Sequence, residues 1–104
     1  MSGFDDCADA FEKKYAHDAE LQFKVEARRN KLLGLWAASL MGKSADEAAA
    51  YATEVVKSDF EEAGDEDVFR KVSGDLGDKT DETTLRAQMV ALMVEAKSQV
   101  MSEV

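Results

Sequence analysis

The 104-residue sequence has no proline, so nothing in it locks φ or forces a helix to break, and punctuation falls to its six glycines. Its one cysteine, Cys7, excludes an internal disulfide and fits a reducing compartment. No apolar run approaches the ~18 residues of a membrane span. The acidic N-terminus lacks the basic and apolar regions of a signal peptide. A cytoplasmic protein without direct membrane insertion is expected. Strand signals are missing too. No segment alternates with period 2, and Ala, Glu, Lys, Leu, Met and Gln dominate, which favours helix.

Positive charge is also scarce. Thirteen Lys and Arg face 22 Asp and Glu, for a formal net charge of −9. That balance argues against nucleic acid, which needs a basic face, and against an anionic membrane surface. Residues 1–23 are net acidic, and so, more strongly, are residues 44–67. Between them Lys24, Arg28, Arg29 and Lys31 form a short basic collar. One reading of the collar is a solvated helix face with local pairs such as Glu20–Lys24. The other is a secondary contact, for an acidic protein surface or a nucleotide.

A single all-α domain follows from the length and the periodicity. Four helices are expected. The first runs from about Asp18 to Met41, with Leu21, Val25, Leu32, Trp36 and Leu40 on one face and Gly42 as its stop. The second opens at Ser44, where "SADE" is a capping box, and continues to about Glu62, burying Ala48, Ala52, Val55, Val56 and Phe60. Tyr51 falls at the edge of that stripe as a half-buried ring. The third covers about Glu66 to Leu76, with Val68, Phe69, Val72 and Leu76 inward. The fourth begins near Asp81 and runs almost to the end, with Leu85, Met89, Leu92, Met93, Ala96 and Val100 inward. Phe23 lies off the seam of the first helix. Short connections make a small four-helix bundle of residues 18–104.

Residues 1–17 are left over. Phe4, Ala8, Phe11 and Tyr15 recur at helical spacing, but their face does not line up with the seam of the first helix. A lone helix of ~15 residues is marginal in water. The expectation is a partly disordered or frayed N-terminal helical arm whose apolar face is covered either by its own bundle or by a partner.

Sites for chemistry are sparse. "GKS" at Gly42–Ser44 lacks both the earlier glycine and the preceding strand of a P-loop, and reads instead as helix stop and start signals. His17 is the one histidine, too few for a metal site or a triad, and reads as solvated. The acidic turn "EEAGDEDVF" lacks the order of a calcium loop and suits a helix N-terminus. No cofactor, no metal and no enzymatic activity are expected.

The segments "FDD…AFEKKYAHD", "LQFKVEARRNKLLGLWAA" and "YATEVVKSDFEEAGDEDVFRKV" together resemble the small zeta subunit of alphaproteobacterial F-type ATP synthase. The resemblance implies a four-helix fold and an inhibitor of ATP hydrolysis. It also implies that the N-terminal arm enters a catalytic interface of the synthase head and blocks rotation. The family's inhibitory segment falls on Phe4, Asp5, Asp6, Phe11, Glu12, Lys14, Tyr15, His17 and Asp18. Lys13 joins them as a cation set to meet acidic residues of the head. The implied partners are the catalytic head subunits, met by a protein that is a monomer when free. The competing reading is a helical protein-interaction or nucleotide-binding module without inhibitory activity.

Overall fold

The computed structural model describes the backbone of residues 3–104 and the side chains of residues 18–104. The described residues form four helices: α1 (Gly3–Leu40), α2 (Ala45–Ser58), α3 (Glu66–Leu76) and α4 (Glu82–Glu103). A short 3-10 turn, Gly77–Lys79, leads from α3 towards α4. No strand occurs among the described residues, so the all-α bundle expected from the periodicity is what forms. No described helix is long and apolar enough to cross a membrane. The backbone of the arm from Gly3 is continuous with α1, which therefore begins earlier than the expected Asp18, whereas the cover of the arm's apolar face lies outside the described side chains.

The helix ends follow local chemistry. After α1, Gly42 takes φ 73°, its N–H bonds to the Ser39 carbonyl at 3.1 Å, and the Lys43 N–H bonds to the Ala38 carbonyl at 3.0 Å. That is a Schellman stop, and a side chain at Gly42 would be strained in it. Ser44 and Glu47 then cap α2 reciprocally, with bonds of 3.3 and 3.0 Å. Asp81 caps α4 by accepting the Thr84 N–H at 2.7 Å.

The core gathers Leu33, Ala37 and Ala38 from α1, Tyr51 and Val55 from α2, Val68, Val72 and Leu76 from α3, and Leu85 and Met89 from α4. Trp36 packs against this cluster while only partly buried. The α1 seam thus runs along smaller residues than the sequence suggested. Leu21, Val25, Leu32 and Trp36 are half-buried flanks, and Leu40, expected inward, is exposed at the helix end. The reason is close approach: helices meet most tightly where side chains are small, and Gly34 sits directly against Ala52.

Two further expectations are corrected. Helix α2 stops at Ser58 rather than near Glu62, because Asp59, Phe60 and Glu61 turn back through bonds to residues three earlier. Asn30 of α1 holds the Asp59 carboxylate at 3.0 Å and fixes that turn. Phe60 is consequently carried off the core face and is 68% exposed. Tyr51 is buried rather than at the edge. Its hydroxyl donates to Asp75 at 2.8 Å, and Lys43 and Lys71 stand over its ring. Helix α4 keeps its expected inward stripe but also turns Val90, Val94 and Met101 outward.

Candidate partner-binding surface

Of the arm residues named from the sequence, Phe4, Asp5, Asp6, Phe11, Glu12, Lys13, Lys14, Tyr15 and His17 lie outside the described side chains. Asp18 is exposed on α1. The described part of the candidate surface is therefore the collar, set on α1 directly after the arm.

The fold does not keep the four collar cations together. Arg29 turns inward and is 1% exposed. Its Nε donates to the Asn30 side-chain oxygen at 2.6 Å and its Nη2 to Asp65 at 2.7 Å. A guanidinium can be buried this way because its charge is paired and its donors are directed. Arg29 thereby ties the acidic turn between α2 and α3 onto α1. Asn30 does the same through Asp59, and the buried Asp67 accepts the Glu62 backbone N–H at 2.9 Å. Arg70 pairs with Glu62 on the outside of the turn. Burial pushes the Asp59 carboxyl above its ordinary range, opposed by the hydrogen bond from Asn30. The acidic turn is thus a structural knot, which agrees with its sequence reading as a helix N-terminus.

Lys24, Arg28 and Lys31 face outward at helical spacing. Lys24 stands 3.6 Å from Glu20, the local pair anticipated from the sequence. Arg28 reaches across to α4, where Nη1 and Nη2 grip Glu103 at 2.8 Å each and Nη1 also donates to Gln99 at 2.8 Å. That bond holds the Glu103 carboxyl below its ordinary range and raises the guanidinium further above its own. Lys31 has no ion-pair partner among the described residues.

Phe23 and Phe60 meet beside these cations. The sequence flagged Phe23 as off the seam but placed Phe60 in the core. The clue available in the sequence was the acidic cluster that begins at Asp59, which suits a turn better than a buried helix end. Among the described residues no group of three or more His, Cys, Asp or Glu is arranged to hold a metal ion.

The arrangement can bind through charge and apolar contact. A family model described as ATPase inhibitor subunit zeta matches residues 1–99. A protein solved by solution NMR is 63% identical and superposes with a TM-score of 0.76, the match covering 81% of this chain and 99% of that one. No curated protein matches the sequence.

Proposed function

Because this chain belongs to the ATPase inhibitor subunit zeta family, we propose that it restrains ATP hydrolysis by an F-type ATP synthase through its N-terminal arm, residues 1–17. The bundle, residues 18–104, serves as the body that carries the arm. The observation that carries this reading is that the family match begins at residue 1 and so takes in the whole arm together with the body.

Physical chemistry supplies the rest. Phe4, Phe11 and Tyr15 share one helical face, and each large apolar side chain gains about 1.5–3 kcal/mol when a groove removes it from water. Ordering the segment costs part of that gain. Lys13 and Lys14 meet carboxylates of the head, Asp5, Asp6, Glu12 and His17 supply polar contacts away from the aromatic face, and Asp18 supplies one at its end. Inhibition is mechanical: an ordered helix occupies an interface between catalytic head subunits that must close for turnover. The protein acts as a monomer from the cytoplasmic side, where the head is exposed.

The experiment is ATP hydrolysis by the cognate head, with full-length protein and with protein lacking residues 1–17, circular dichroism confirming that both are helical. The shortened protein is expected not to inhibit. Phe11→Ala in the full chain is expected to raise the half-inhibiting concentration about tenfold or more, the equivalent of ~1.4 kcal/mol per decade. Undiminished inhibition by the shortened protein would assign the activity to the bundle instead.

A further inference from the structure

Phe23 and Phe60 stack with ring centroids 6.4 Å apart, yet remain 56% and 68% exposed. Two aromatic rings left in water on one face mark a contact surface. Beside them a groove of about 490 Å³ runs between α2 and α4 over α1, with Phe23, Lys24, Arg28, Lys31, Val56 and Val104 among its walls. Its cations come from the short basic stretch of a chain whose net charge is −9. Charge and apolar area thus coincide in one place.

The groove also displays the chemistry that it takes. Arg28 already holds a carboxylate in bidentate fashion, that of Glu103, the last residue of α4. Glu103 is half exposed and sits at the end of its helix, so a carboxylate from outside can reach the guanidinium that it holds and compete for the same fork. Length separates a protein segment from a small anion. Through Lys31 and Val56 the groove continues into a second depression of about 300 Å³ that reaches Leu35. From Lys24 to Leu35 is ~17 Å along the α1 axis at ~1.5 Å per residue, the length of about three helical turns.

We infer that this groove docks an acidic amphipathic helix of a protein partner. The partner's carboxylates take Arg28 and Lys31, and its apolar side chains cover Phe23, Phe60 and Val56. Glu103 occupies Arg28 until the partner arrives. Lys24, Arg28 and Lys31 lie at i, i+4 and i+7, so their spacing along α1 matches carboxylates placed one turn apart on a helix laid alongside. None of these residues belongs to the arm, so the inference stands or falls separately from inhibition.

The test uses the full-length protein and a synthetic three-heptad helix with leucine on one face and glutamate flanking it, followed by amide NMR. A second peptide carries lysine at every glutamate. The acidic peptide is expected to shift the amides of Phe23, Ala27, Lys31, Val56 and Val104, and the lysine peptide to bind at least tenfold more weakly. Glu103→Gln frees Arg28 and is expected to tighten the acidic peptide severalfold, whereas Lys31→Glu, at an exposed position, weakens it severalfold. Equal binding of the two peptides, shifts centred on another face, or no tightening in Glu103→Gln would overturn the inference. So would equal shifts of the same amides by ATP alone, which would make the groove a small-anion site.

Discussion

A Cβ built on Gly34 would stand 2.6 Å from the Cα of Ala52. The obstacle is backbone, which cannot swing aside as a side-chain tip does. Gly34→Ala is therefore expected to lower stability by about 1–3 kcal/mol through overpacking, although alanine is the better helix former by up to ~1 kcal/mol. Gly74 is the contrast. It lies in α3 with nothing within 4 Å of its added Cβ. Gly74→Ala is expected to gain about 0.5–1 kcal/mol. Urea denaturation of both variants checks the pair, and a gain at Gly34 would mean that α1 and α2 do not rely on that close approach. None of this was legible in the sequence, where Gly34 interrupts an otherwise ordinary helical pattern. Arg29 was equally opaque, since the partner that draws it inward, Asp65, is 36 positions away.

At the scale of the helix, the start and stop signals were the most legible part of the sequence. "SADE" forecast the α2 capping box, Gly42 the α1 stop and Asp81 the α4 start, because each depends on neighbours within a turn. Ser44→Ala is expected to cost about 1 kcal/mol. The caps also set the acid response. The Ser44 backbone N–H lowers the Glu47 carboxyl, the Thr84 backbone N–H lowers Asp81, and Arg86 lowers Glu66. A carboxylate lowered in the folded state contributes stability that is present above its unfolded value, about 4, and is lost as pH falls through the folded value. Asp59 is shifted upward and so has the opposite sign, its folded form gaining from protonation in that region. The lowered groups outnumber it. Melting temperature is expected to fall as pH drops from about 5 towards 2, and Asp81→Ala to make that fall shallower. A flat profile would deny the caps their role. The end of α2 was only half legible: the acidic cluster at Asp59 hinted at a turn, but Asn30 on another helix fixes where it falls.

For the molecule as a whole, four periodic segments with short connections sufficed to forecast a bundle. The groove could not be forecast in the same way, since α1, α2 and α4 each supply one wall. The arm was visible as a pattern, and the family match runs over it and on through most of the chain, residues 1–99. Net charge is the property that belongs to the entire chain. At −9 the fold repels itself, and added salt screens that repulsion, the screening length shortening from about 30 Å at 0.01 M to about 10 Å at 0.1 M. Exposed pairs such as Arg86–Glu66 weaken as well, but they contribute little. The melting temperature is expected to rise by roughly 4–8 °C over that range, about 1 kcal/mol. A fall would show that the ion pairs outweigh the general repulsion.

Trp36 is the one indole in the chain, and it leans on a cluster to which all four helices contribute. A single fluorophore therefore reports on the packing of that shared cluster, so one optical trace follows the assembly of the body with no label attached.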